Sequence, residues 1–142
     1  MGLVTSSEPA VRTTRISIRS AADIVAARQE GRALAAELGF DGSDLTVIAT
    51  AISELARNIL EYAQEGEILL SPLAKGERLG ITISARDEGP GIPEIARALQ
   101  DGYSTSRGLG LGLPGVRRLM DEFALVSEVG KGTTVTARKW SP

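Results

Sequence analysis

Three short segments combine residue types that could do chemistry. The first, Glu54-Leu55-Ala56-Arg57-Asn58, sets a carboxylate and a side-chain amide four residues apart. On a helix that spacing puts both groups on one side, one turn apart, where they can bind or polarise one ligand together. Amide and water oxygens suit a hard Mg²⁺ ion, which keeps several waters and is held jointly with phosphates. The polar rim of an ordinary amphipathic helix has the same spacing. The second segment, Asp87-Glu88-Gly89-Pro90-Gly91-Ile92, follows an acid with glycines that let a ligand approach the backbone closely. An ionised Asp87 accepts hydrogen bonds and could read the exocyclic amine of adenine, although D-x-G and G-P pairs also make plain turns.

The third segment runs from Ser104 to Gly115 and is rich in glycine: Ser104-Thr105-Ser106-Arg107-Gly108-Leu109-Gly110-Leu111-Gly112-Leu113-Pro114-Gly115. Backbone amides freed by glycines where a helix begins form an anion site, with phosphate the usual occupant. Arg107 adds a full positive charge beside it. Gly110, Gly112 and Gly115 also match the dinucleotide pattern G-x-G-x-x-G, but that pattern belongs after a buried strand early in a βαβ unit. Here it follows a polar Ser/Thr stretch late in the chain, and the other phosphate motif, G-x-x-x-x-G-K-[ST], is absent.

Composition narrows the chemistry. The chain has neither histidine nor cysteine, which excludes histidine acid–base catalysis, a phosphohistidine, disulfides and most zinc sites. Sixteen Lys and Arg stand against 18 Asp and Glu, for a net charge of −2, and aromatics make up 4%. That balance argues against nucleic acid or an anionic membrane as the main partner. No apolar run approaches the roughly 20 residues needed to span a bilayer. Met1–Ser6 formally matches an N-myristoylation pattern; the plainer reading takes residues 1–12 as a disordered polar tail. The remainder, 13–142, is long enough for one domain with a real core.

The elements that must position these residues are legible in outline. Thr13–Arg19 alternates as a strand, and Ser20, with Asp23 three residues on, caps a helix closed by Gly39. Ser43 is expected to cap a second, longer helix with Leu45, Ile48, Ile52, Leu55 and Ile59 at helical spacing, ended by Gly66. Glu67–Ala74 and Leu79–Arg86 form a hairpin around Lys75-Gly76-Glu77-Arg78. A short helix from Pro93 to Gln100, a mobile loop over Asp101–Gly112, a helix over Leu113–Glu122 and strands at Phe123–Glu128 and Thr133–Trp140 complete the chain. Strands and helices so segregated make an α/β (α+β) two-layer sandwich.

Glu-x-x-x-Asn, Asp-x-Gly-x-Gly, Gly-x-Gly-x-Gly and a late Gly-Thr-Thr, in that order, resemble the N, G1 and G2 boxes of the GHKL superfamily. The resemblance covers about Ser43 to Trp140 and implies the Bergerat ATP-binding fold, a mixed β-sheet covered on one face by helices. The chain has no room for the extra domains of gyrase, Hsp90 or mismatch-repair members, and no phosphoacceptor histidine. It is therefore most similar to the stand-alone serine kinases, the anti-sigma-factor kinases and the RsbT-type switch kinases of the stressosome. Tyr103–Gly115 and Leu119–Phe123 look closest to the RsbT type.

That resemblance implies roles. Glu54 would be the general base for an incoming serine or threonine hydroxyl, and Asn58 would hold Mg²⁺ against the phosphates of ATP. Asp87 would bind the adenine amine, supported by Thr133, with Gly89 and Gly91 letting the base seat. Arg107 and the amides of Gly108, Gly110 and Gly112 would hold the β- and γ-phosphates. Thr134 should point away from Thr133 by strand alternation. Many relatives carry a histidine four residues beyond the Asn; here that residue is Tyr62, which leaves Glu54 as the good base candidate. The implied partners are STAS-domain scaffold proteins and a PP2C-type phosphatase, in the cytoplasm. The alternatives are an anti-sigma factor kinase and a nucleotide-gated module that acts mainly by docking. Oligomeric state is not legible in the sequence.

Overall fold

The structure is a computed structural model and describes residues 12–92 and 112–142. Its elements run β1 (Thr14–Ile18), α1 (Ala21–Glu37), α2 (Gly42–Tyr62), β2 (Gly66–Lys75), β3 (Arg78–Asp87), α3 (Gly112–Leu119), β4 (Glu122–Glu128) and β5 (Gly132–Trp140). The expected helix over Pro93–Gln100 and nearly all of the expected loop over Asp101–Gly112 lie outside the described residues, as does the tail up to residue 11.

The five strands form one sheet in the order β1-β2-β3-β5-β4. Every neighbouring pair is antiparallel, which corrects the expected mixed sheet. Two connections explain the difference. The α1–α2 pair turns the chain back once more before β2, so β2 runs against β1. The crossover through α3 does produce parallel strands, β3 and β4, but β5 inserts between them and pairs with both.

Strand alternation gives the sheet two different faces. Ile16, Ile68, Ala85, Val135 and Leu125 share one register row, and Thr14, Leu70, Ile83, Ala137 and Phe123 share the next. These rows, with Ile18 and Ile81 on the same face, carry the strand contribution to the core, which Ile48, Ile52, Leu55 and Ile59 of α2 complete. At Gly31 the two helices approach so closely that a Cβ would meet the side chain of Ile52. Arg15, Ser17, Glu67, Arg86, Thr134 and Thr136 lie in the alternate rows, on the face the helices leave open.

The helix ends show local sequence logic and three corrections. Asp23 accepts hydrogen bonds from the backbone N–H of Ser20 at 3.1 Å and of Arg19 at 2.8 Å, as an acid in a first turn should. At the far end of α1, Gly39 at φ +96 donates to the Ala36 carbonyl and Phe40 to that of Ala35. This is a Schellman closure, with buried Phe40 as its apolar contact. Helix α2 is capped by extended Asp41 rather than Ser43, because the Asp44 N–H already reaches the Asp41 carbonyl at 3.0 Å. It is not ended by Gly66 either. Ala63 is the cap and Gln64 takes the positive φ of 71, while Gly66 opens β2, where a Cβ would run into the Arg86 carbonyl. The helix expected to reach Glu122 stops at Leu119, since Glu122 is already paired with Arg138 in the sheet.

Candidate functional site

Helix α2 carries the first pair of candidates. Its apolar stripe, buried against the sheet, fixes the rotation of the helix and leaves Glu54 and Asn58 on its flank. Glu54 is 11% exposed and both of its oxygens are engaged. Oε2 accepts from the Arg57 guanidinium at 2.7 Å, and Oε1 accepts from the backbone N–H of Gly112 at 3.1 Å. Gly112 is the first residue of α3, so the Glu54 carboxylate binds the positive end of that helix. Helix α3 is held there by Leu113 and Val116, which are buried in the common core. Asn58, one turn beyond Glu54, is half-buried.

Asp87 ends β3 on the helix-covered face, in one register row with Ile18, Gly66, Thr133 and Ser127. Its Oδ1 accepts from the Gly89 N–H at 2.9 Å, which folds the chain sharply after the strand. Three glycines let the chain around this turn pack tightly. A Cβ at Gly89 would lie 2.6 Å from the Cβ of Ala63, at the C-terminal end of α2. A Cβ at Gly66 would lie 3.1 Å from the Cβ of Asp87, and one at Gly132 would strike the Asp87 carbonyl. Gly91, at φ +81, sits against the Glu128 backbone. The loop is also tied to the β4–β5 turn, because the Gly130 N–H donates to the Pro90 carbonyl at 2.9 Å.

Thr133 stands directly across from Asp87 in the β3–β5 ladder, and Thr134 pairs with Arg86 on the other face. The Thr133 hydroxyl lies 2.8 Å from the Ser127 hydroxyl, which in turn accepts from the Ile92 N–H at 2.7 Å. Ser127 is thus a hub that fixes the loop to β4 and β5. Single-sequence reading misses it because it emerges only from the β4–β5 register. Arg57 is a further residue absent from the sequence-based candidates, although its place three residues after Glu54 on a helix is visible there.

The structure thus gathers two clusters. Glu54, Arg57, Asn58 and Gly112 form one, and Asp87, Gly89, Gly91 and Thr133 the other, with the C-terminal half of α2 between them. From Glu54 to Ala63 the helix rises roughly 14 Å. Arg107, Gly108 and Gly110 lie outside the described residues. Tyr62 is the last residue of α2 and is 45% exposed. Among the described residues no group of three or more His, Cys, Asp and Glu converges on a metal position. Asn58 could hold a cation together with ligands that a nucleotide brings, as suits Mg²⁺. A separate cleft of about 470 Å³ opens beside Asp87, lined by Ser17, Arg19, Glu65, Glu67 and Arg86 among others, and includes neither Glu54 nor Asn58. No helix among the described residues is long and apolar enough to cross a membrane.

Residues 19–139 match the histidine kinase-like ATPase domain. The chain is 58% identical over 118 residues to the serine/threonine-protein kinase RsbT of Bacillus subtilis, covering 83% of this chain and 89% of that protein. It is 34% identical over 120 residues to the anti-sigma F factor of Geobacillus stearothermophilus, covering 80% and 81% of the two chains. In fold it resembles the solved structure of the RsbU and RsbW domains of a Mycobacterium tuberculosis protein, with a TM-score of 0.63 at 22% identity. That likeness covers 93% of this chain and 34% of the other. The chain therefore belongs to the histidine kinase-like ATPase family, the GHKL group its motifs resemble, and within it to the RsbT-type serine/threonine-protein kinases.

Proposed function

We propose that the chain transfers the γ-phosphate of ATP to a serine or threonine of a STAS-domain partner in the cytoplasm and, when released from it, activates a PP2C-type phosphatase. The observation that carries this reading is the Glu54–Gly112 contact of 3.1 Å. It brings a nearly buried carboxylate to the last of the three glycine amides read as phosphate-binding, at the start of α3. The 58% identical relative named as a serine/threonine-protein kinase supports the same reaction.

The residues divide the work along α2. Asp87 takes the adenine amine just past the C-terminal end of α2, on a turn held in place by the close packing of the glycines around it. Asn58 holds Mg²⁺, which when bound neutralises phosphate charge, with the nucleotide supplying the other ligands. Glu54, near the middle of the helix, accepts the hydroxyl proton as the phosphoryl group moves. Arg107 and the amides of Gly108, Gly110 and Gly112 complete the phosphate contacts.

Incubation with γ-labelled ATP and a STAS-domain protein is expected to label a serine or threonine of that protein. No transfer to any STAS-domain protein from the source cell, with ATP bound, would sink the reading. A second reading, an anti-sigma factor kinase, is favoured by the 34% identical anti-sigma F factors. Co-purification with a sigma factor and loss of transcription on adding the chain would establish it instead.

A further inference from the structure

Arg57 has no part in the reaction so far, yet it makes the shortest ion pair among the described residues, 2.7 Å to Glu54. We propose that Arg57 is a positioning residue for phosphoryl transfer. It pins Glu54 by Oε2 and leaves Oε1, the oxygen that meets Gly112, as the one that takes the substrate proton. The proposal rests on the reading of Glu54 as the general base.

Two differences between the contacts of Glu54 support the assignment. Both bonds end on the ionised carboxylate, but the Arg57 contact pairs two full charges at 2.7 Å, whereas the Gly112 contact brings one uncharged amide at 3.1 Å. An ion pair of this length holds the carboxylate more firmly than a single longer bond from an uncharged amide does. The second difference is where each partner sits. Arg57 lies three residues from Glu54 on α2, so their geometry travels with one rigid helix. Gly112 belongs to α3, and its amide is also a natural donor to a phosphate oxygen. The bond that can exchange is therefore the one on Oε1, and the bond that persists is the one on Oε2.

The transfer step balances with Glu54 in this orientation. The substrate hydroxyl oxygen forms its bond to the γ-phosphorus. The bond from that phosphorus to the β,γ-bridging oxygen breaks, and its electron pair leaves with ADP. The hydroxyl proton moves to Oε1 of Glu54 and is later returned to water. Throughout, Arg57 stays on Oε2 and keeps the carboxylate from turning its reactive oxygen away. At 42% exposure Arg57 is neither buried structural filler nor a freely swinging surface charge.

The test compares Arg57→Ala and Arg57→Lys in the full chain, with ATP and a STAS-domain protein that the unaltered chain phosphorylates. Arg57→Ala is expected to lower kcat about 10- to 100-fold, within the range of a displaced general base. The KM for ATP and the Kd of a fluorescent nucleotide should stay within about threefold of the unaltered chain, because Arg57 acts on the base and not on the nucleotide. Arg57→Lys, which keeps the charge, should recover to within about fivefold. Thermal unfolding is followed in parallel; if Arg57→Ala does not fold, Arg57→Gln takes its place. An unchanged kcat overturns the proposal, as does a nucleotide Kd that rises by the factor by which kcat/KM falls, or an Arg57→Lys no better than Arg57→Ala. Glu54→Gln separates the two readings. If it transfers phosphate normally, the base assignment itself fails. If it is inactive while Arg57→Ala keeps its kcat, only the positioning role fails.

Discussion

The carboxylate of Glu54 and the backbone N–H of Gly112, 58 residues apart in sequence, are joined by a hydrogen bond of 3.1 Å. The bond crosses from the middle of α2 to the start of α3, so the proposed base and one of the amides of the phosphate segment belong to one unit. Whatever moves the start of α3 must also act on Glu54. This coupling, and the way Asp87 is held, can be measured.

Glu54→Gln keeps the shape of the side chain and one carbonyl oxygen for the Gly112 amide, but it removes the base and the charge that meets Arg57. Phosphate transfer is expected to fall about 10²- to 10⁴-fold, the usual contribution of a general base. Nucleotide affinity should change little. Transfer rate in single turnover and nucleotide titration measure the two effects separately.

Asp87→Asn should act beyond the C-terminal end of α2 and in the opposite way. Asparagine retains an Oδ1 that can accept from the Gly89 N–H, so the turn and the thermal stability should persist. The lost charged acceptor costs about 1.5–3 kcal/mol of hydrogen bonding to the base, or roughly 10- to 150-fold in nucleotide affinity. Calorimetric titration with ATP tests this. If the chain acted mainly by docking, this variant would still activate the phosphatase.

Two glycine-to-alanine substitutions should separate backbone strain from crowding. At Gly39 nothing lies within 4 Å of the added Cβ, so only the φ of +96 matters. The expected loss there is about 1–2 kcal/mol, with nucleotide binding unaffected. At Gly89 the added Cβ would lie 2.6 and 2.9 Å from the Cβ and Cα of Ala63. Overpacking of that kind costs about 1–3 kcal/mol and shifts the loop that carries Asp87, so nucleotide affinity should drop as well. Urea unfolding and nucleotide titration on both variants distinguish the cases.

A further test concerns acid stability. The Trp140 indole N–H donates to Glu122 at 3.0 Å and the Arg138 guanidinium at 3.3 Å. These bonds hold the Glu122 carboxyl below its ordinary value of 4.5. A carboxylate depressed in the folded state adds stability above its unfolded value, and that stability is lost as pH falls through the folded one. The stability gap between the unaltered chain and Glu122→Gln should therefore be present at neutral pH and close as the pH drops below 4.5. Unfolding curves across that range check the sign.

Much of this protein is legible residue by residue, because the signals involved are local. Helix α1 is readable from Ser20, Asp23 and Gly39, and the β2–β3 hairpin from Gly76 between two alternating runs. The boundaries that differ from expectation involve competition between neighbours. Asp41 displaces Ser43 as the cap by closing a turn earlier, and Gly66 is needed for close packing in the sheet rather than for stopping a helix. The all-antiparallel order of the whole sheet is not readable from local signals, since it depends on β5 inserting between β3 and β4.

By itself, the sequence determined which side chains share an element. Glu54 and Asn58 lie one turn apart on a helix, Asp87 ends a strand ahead of two glycines, and the absence of histidine leaves carboxylates as the bases. Helical and strand periodicity are properties of a few consecutive residues, so composition and spacing suffice for them. Tertiary structure alone decided that Gly112 meets Glu54, that Thr133 faces Asp87 and that Ser127 ties the loop to β4 and β5. Those pairings depend on how α3 packs on α2 and how β5 registers against β3. Many distant apolar contacts settle such arrangements together, and no single stretch of the chain encodes them.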